Sequence, residues 1–205
     1  MDATLTDLLT RGPINWLFAG DSITSGWGLG DYRDSYAGRF TQHVKHHAGP
    51  VRAQDKFANT GVPGATVGQA LRDPYGWSIR PVPDVVTVLF GMNDAGWGIA
   101  GLDRFADGMA EFVARVRELG SVLVLQTTYP VGPGGAHEAL PAYNESVRNL
   151  AQEIGATLVD HERHWGCLDV PASWYLDPHH LTEDGHAELA RLLIDTVLPL
   201  DPHAA

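Results

Sequence analysis

The chain of 205 residues carries 25 acidic against 14 basic side chains, and its formal net charge of −11 repels phosphodiester backbones and anionic lipid, which sets nucleic acid aside as a partner. No apolar run approaches the roughly 20 residues that a membrane helix needs, and Cys167, the lone cysteine, rules out a disulfide framework. Met1 to Pro13 has no basic start leading into an apolar core, so it does not read as a signal peptide and a cytoplasmic location is expected.

Strand-length apolar runs alternate with segments of helical period. The first expected strand is Asn15 to Ala19, followed by Gly20-Asp21-Ser22-Ile23 and a loop that holds Gly26, Gly28 and Gly30. A helix over Tyr36 to His47, stopped by Gly49, leads to a second strand at Val51 to Ala58 and then to Asn59-Thr60-Gly61-Val62-Pro63-Gly64-Ala65-Thr66. Val67 to Arg72 reads as a helix, and Val85 to Phe90 as a third strand that runs into Gly91-Met92-Asn93-Asp94. Next come a helix over Leu102 to Leu119, a strand over Val122 to Thr127 and the breaker-rich loop Pro130 to Gly135. A helix over Tyr143 to Ile154, a strand at Thr157 to Val159 and a last helix at Glu183 to Val197, with Thr182 as its N-cap, complete the chain. This rhythm predicts an α/β fold with a doubly wound parallel sheet, and residues 1–205 are expected to form one domain.

In open α/β sheets, ligands bind beyond the carboxyl ends of the strands. Four blocks bring useful polar groups to that edge. Ser22 follows the first strand, where its hydroxyl can stand at the rim. The glycines of residues 59–66 let backbone N–H groups approach a ligand, and Asn93 offers a side-chain amide. In Asp177-Pro178-His179-His180 a carboxylate stands three residues before an imidazole and can fix that ring's tautomer. His179 lacks this spacing and is assigned to surface packing or a rim contact, while Asp21 is expected to hold its turn through backbone hydrogen bonds.

These four blocks, in this order, resemble the SGNH (GDSL-type) esterase and acylhydrolase family, with Ile23 standing where the family name has leucine. The resemblance implies that Ser22 is the nucleophile, His180 the general base and Asp177 its orienting acid. It makes Ser22 N–H, Gly64 N–H and the Asn93 side-chain amide the oxyanion hole. It further implies a flavodoxin-like three-layer α/β/α fold whose five-stranded parallel sheet has the order 2-1-3-4-5. The expected function is hydrolysis of a small-molecule ester through an acyl-serine intermediate, without a cofactor. A thioesterase or acyltransferase using the same residues, and a non-catalytic binding module on the same scaffold, are the competing readings.

Asp160, His161, His164, Asp177, His179, His180 and His186 crowd the last third of the chain, but no H-E-x-x-H or cysteine-pair spacing organises them, so no metal is expected. Gly26, Gly28 and Gly30 fail as a dinucleotide fingerprint because Asp31 stands where its third glycine belongs. Trp27, Trp97, Trp174 and Tyr175 sit beside three of the four blocks and are candidate walls for a compact substrate, a short acyl ester or acetylated sugar rather than a long-chain lipid. The plain alternative is that these rings anchor loops on the core. The oligomeric state is not set by the sequence.

Overall fold

The computed structural model describes residues 4–73 and 79–198. Its sheet has five parallel strands, β1 (Asn15–Gly20), β2 (Lys56–Asn59), β3 (Val85–Leu89), β4 (Val122–Gln126) and β5 (Thr157–Val159), in the expected spatial order β2-β1-β3-β4-β5. Nine α-helices are described: α1 (Leu5–Leu9), α2 (Ser22–Ser25), α3 (Tyr36–His47), α4 (Gly49–Arg52), α5 (Val67–Arg72), α6 (Leu102–Glu118), α7 (Leu140–Ile154), α8 (His161–Trp165) and α9 (Glu183–Val197). None of them is long and apolar enough to cross a membrane.

Register shows how the two faces are filled. Side chains alternate along a strand, and residues paired across parallel strands share a face. Trp16 and Phe18 of β1 meet Phe40 of α3 edge-on at 5.1 and 5.7 Å, and α3 itself packs along α9. On the opposite face Leu17 is paired with Val86, whose alternation continues through Val88 to Phe90, and Phe90 meets Phe112 of α6 at 5.8 Å. α5, α6 and α7 pack in series on that side. Covered on both faces, β3 is buried at every residue, as a central parallel strand requires.

The second strand is shorter than the sequence pattern suggests. Val51 and Arg52 fall in α4, because Pro50 occupies its first turn with a φ already suited to a helix. Arg52 is buried and faces Asp55 at 3.5 Å, and its guanidinium donates to the carbonyls of Arg11 and Gly12. Only from Lys56 does the chain pair with β1. α7 likewise begins at Leu140, ahead of the expected Tyr143, with Pro141 in its first turn. The short helices α1, α2 and α8 have too few turns for their periodicity to show. Thr182 does occupy the N-cap of α9, yet its hydroxyl donates to Ser173 O at 3.1 Å instead of accepting from the helix.

Candidate functional site

The carboxyl edge of the sheet gathers the four blocks. β1 ends at Gly20, where a Cβ would sit 2.6 Å from the Leu89 carbonyl oxygen, so only glycine lets β1 and β3 close up here. Asp21 then caps α2, its Oδ1 accepting from Ile23 N at 2.9 Å, and Ser22 is the first residue of that helix. Ser22 is 8% exposed.

Ser22 Oγ lies 3.0 Å from His180 Nε2, and His180 Nδ1 lies 2.8 Å from Asp177 Oδ2. An ionised carboxylate can only accept, so Nδ1 carries the ring proton and Nε2 is left as the acceptor for the serine hydroxyl. The other oxygen, Asp177 Oδ1, accepts from the backbone N–H groups of His179 at 2.8 Å and His180 at 3.0 Å. Burial alone would push the Asp177 carboxyl up, but the bond from the His180 ring and those two backbone donors outweigh it and hold the group below the usual carboxylate range.

The segment that bears His180 is fastened from several sides. Leu176 N donates to His180 O at 2.9 Å, Tyr129 Oη to His179 O at 2.7 Å, and Gly132 N to Pro178 O at 2.8 Å. Tyr175 Oη donates to Pro130 O at 3.0 Å, which ties the Pro130 to Gly135 loop to the same segment. Trp27 covers the imidazole of His180, ring centroids 4.3 Å apart.

The second and third blocks share a cleft that Gly64 and Asn93 line together. Gly64 has φ +79, a left-handed conformation that favours glycine, and open space where a Cβ would be. Asn93 donates from Nδ2 to Ala65 O at 3.0 Å and makes a longer contact of 3.3 Å with Asp21 Oδ2. Of its two N–H groups, then, one is held firmly and the other loosely. Asp94 Oδ1 accepts from Val67 N at 3.2 Å, so these blocks are joined by side chain as well as by the sheet. Burial pushes the Asp21 carboxyl up to about 7 and that of Asp94 up to about 6, against the pull of their backbone hydrogen bonds.

Each sequence-derived candidate has a definite place. Ser22, Asp177 and His180 form one hydrogen-bonded line, while Gly64 and Asn93 line a common cleft and Asn93 reaches Asp21, the residue before Ser22. Trp27 and Trp97 are the exposed rings, at 49% and 63%. Trp174 packs edge-on against Trp165 at 6.0 Å and Tyr175 against Tyr129 at 6.2 Å, which makes these two loop anchors. His179 pairs with His137, ring centroids 4.8 Å apart.

His161 and His186 are buried, and burial drives both imidazoles down to about 3, so they are neutral. His186 Nδ1 accepts from Tyr36 N at 3.2 Å, and His161 Nε2 donates to Gln126 Oε1 at 3.0 Å. Among the described residues no group of three or more His, Cys, Asp or Glu side chains could hold a metal ion.

A buried polar line, Thr24, Tyr36, Gln126 and His161, runs beneath the site and has no signature in local sequence spacing. Thr24 and Tyr36 share a hydrogen bond of 2.9 Å, and Gln126 Nε2 donates to Tyr36 Oη at 3.4 Å. Asn59, the first residue of the second block, donates to Thr24 O at 2.6 Å and accepts from Gly61 N at 2.9 Å, and so braces the helix that begins with Ser22. A polar residue at the last position of a strand facing the rim was the available signal for both Asn59 and Gln126.

No curated protein matches the sequence at a significant level. Among solved structures, an acetylxylan esterase from Geobacillus stearothermophilus superposes with a TM-score of 0.75 at 21% identity, covering 91% of this chain and 95% of its own. The acetyl xylan esterase AlAXEase gives 0.76 at 18% identity, over 90% of this chain and 100% of its own. An alpha/beta hydrolase from the metagenome of Lake Arreo, Spain, gives 0.74 at 22% identity, over 92% and 97%. At such identities the likeness is one of fold. The sequence itself matches the model of the GDSL-like lipase/acylhydrolase family over residues 18–188, a span that takes in Ser22, Gly64, Asn93, Asp177 and His180. The chain therefore belongs to the GDSL-like lipase/acylhydrolase family and is a carboxylic ester hydrolase.

Proposed function

We propose that this protein, acting as a single domain without a cofactor, cleaves short-acyl esters, acetyl esters of carbohydrates foremost, through an acyl intermediate on Ser22. The observation that carries the reading is the unbroken line from Ser22 Oγ to His180 Nε2 at 3.0 Å and from His180 Nδ1 to Asp177 Oδ2 at 2.8 Å. A serine hydroxyl is a poor nucleophile until a neighbouring base takes its proton. His180 Nε2 receives that proton as Oγ bonds to the carbonyl carbon, and the Asp177 carboxylate stabilises the resulting imidazolium.

The carbonyl oxygen takes up the displaced electron pair and faces Ser22 N–H, Gly64 N–H and the loosely held N–H of Asn93. Fixed donors of this kind are each worth on the order of 3 kcal/mol at the transition state. Collapse of the tetrahedral adduct expels the alkoxide, which takes the proton from His180 Nε2. Water then attacks the acyl-Ser22 carbonyl, with the same imidazole as base, and releases the acid.

The preference for acetyl sugars draws on the two similar structures described as acetylxylan esterases. It also draws on the exposed rings of Trp27 and Trp97 beside the reacting groups, since aromatic faces suit sugar rings. A fluorophosphonate probe should label Ser22, and 4-nitrophenyl esters from C2 to C16 should be turned over best at the short end. A maximum at C12 or beyond would reject the short-acyl reading. An unlabelled Ser22 would favour a binding module, and acyl transfer to an added sugar in place of hydrolysis would make the protein an acyltransferase.

A further inference from the structure

Next to the candidate oxyanion donors opens a cleft of about 440 Å³, its walls including Gly64, Asn93, Asp94, Trp97, Arg72 and Arg104. It is continuous with the place where the ester carbonyl would lie, because Gly64 and Asn93 belong to both. Arg104 lays its guanidinium against the Trp97 ring, 4.8 Å from the centroid, and the ring itself is 63% exposed.

The charges in this cleft stand out against the rest of the molecule. In a chain of net charge −11, acids outnumber bases and most arginines are neutralised in place. Arg33, Arg39, Arg52, Arg115, Arg148, Arg163 and Arg191 each reach a carboxylate. No ion pair of Arg72 or Arg104 with a carboxylate is found among the described residues. Among the described residues Asp94 is the only acid in the cleft wall; it is 6% exposed, one oxygen accepts from Val67 N, and the other has no hydrogen-bond partner among those residues. At most one negative charge therefore faces two guanidinium groups, at a spot where a substrate would be held.

We propose that this cleft binds a carboxylate on the sugar part of the substrate, so that the enzyme favours acetyl esters of uronic acids over those of neutral sugars. Arg104 and Arg72 supply planar donor forks that match a carboxylate, and the Trp97 face packs against the sugar ring. The inference rests on Ser22, Gly64 and Asn93 acting as read above.

The test compares kcat/KM for mono-O-acetyl glucuronate and mono-O-acetyl glucose. The acidic sugar is expected to lead by about tenfold, the size of one charge-assisted hydrogen-bonded pair. That ratio should fall towards one in Arg104→Gln, fall in part in Arg72→Gln, and shrink at high salt. A ratio does not depend on how much of a variant is folded, so partial misfolding does not obscure it. A second pair, 4-nitrophenyl succinate against 4-nitrophenyl butyrate, carries the charge on the acyl side. A preference confined to that pair would overturn the assignment to the sugar. A wild-type ratio of one or less, or one that both arginine variants leave unchanged, would overturn the cleft's role while the hydrolase reading stands. Absence of turnover with every ester, 4-nitrophenyl acetate included, would sink the hydrolase reading and this inference with it.

Discussion

The two ends of the parallel sheet use the same kinds of polar side chain for opposite purposes. At the amino end, Asp55 accepts from Ile14 N and Trp16 Nε1, each at 2.9 Å, and faces the buried Arg52. Asp84 accepts from Asn15 N at 2.7 Å and Asn15 Nδ2 at 2.9 Å, and Ser121 donates to Pro83 O at 2.6 Å. Here each carboxylate is taken up in fixing where a strand begins. At the carboxyl end, the Ser22 hydroxyl meets the His180 imidazole at 3.0 Å, Asn93 holds one N–H only loosely, and Asp94 keeps an oxygen without a partner among the described residues. Full satisfaction stabilises a fold, whereas spare hydrogen-bonding capacity on a rigid frame is what a reacting substrate can use.

If that contrast is right, substitutions at the two ends should separate activity from stability. Ser22→Ala should lower kcat by roughly 10³-fold or more while the thermal transition stays close to that of the wild type. Steady-state kinetics and circular dichroism on the same preparation would check both halves. Asn93→Ala should cost about a hundredfold in kcat with a much smaller change in KM, since its N–H serves the transition state more than the bound ester. A rise in KM with kcat preserved would make Asn93 a binding group instead.

At the other end, Asp55→Ala strands the buried Arg52 guanidinium and frees Ile14 N and the Trp16 indole, which should cost about 3 kcal/mol or more in denaturant unfolding. The kcat per folded molecule should change little. A large loss of kcat there, with stability intact, would erase the distinction between the ends.

What could be read in the sequence follows the same division. The strands and the long helices were legible because burial on both faces or one imposes a regular apolar pattern, and Val85 to Leu89 is the plainest case. The order of the strands was not readable from periodicity; it came with the resemblance to a known family. Val51 and Arg52 misled because a β-branched residue beside an apolar run resembles a strand, while Pro50 and the distant pairing of Arg52 with the Gly12 segment decide for a helix. At the site, Ser22, Asn93, Asp177 and His180 stood in recognisable blocks. The roles of Asn59, Tyr129 and Gln126 arise from contacts across dozens of residues, and no local spacing encodes those. The hydrogen-bonding roles of the buried, neutral His161 and His186 are likewise set by partners distant in the chain.

Those two histidines give the smallest and most conditional effect, a slope in stability against pH. Their imidazoles are held down to about 3 in the folded protein, whereas in the unfolded chain they titrate near the ordinary 6.5. As pH falls below about 6.5 the unfolded chain takes up protons that the native state refuses, so stability present above that pH is lost progressively towards 3. Asp21 acts with the opposite sign. Its carboxyl is raised to about 7 from 3.8, so the native state holds a proton that the unfolded chain gives up, and stability declines as pH rises through that interval. His186→Asn keeps an acceptor for Tyr36 N but removes the titrating ring, and should flatten the fall of the melting temperature between pH 6.5 and 4 relative to wild type. Asp21→Asn should do the reverse and steepen that acid-side fall, because it removes the larger of the two opposing contributions near the site, the other being Asp94, raised to about 6. Melting curves of the three proteins across that range would show it. Parallel curves for all three would mean that neither group is buried in the state ascribed to it.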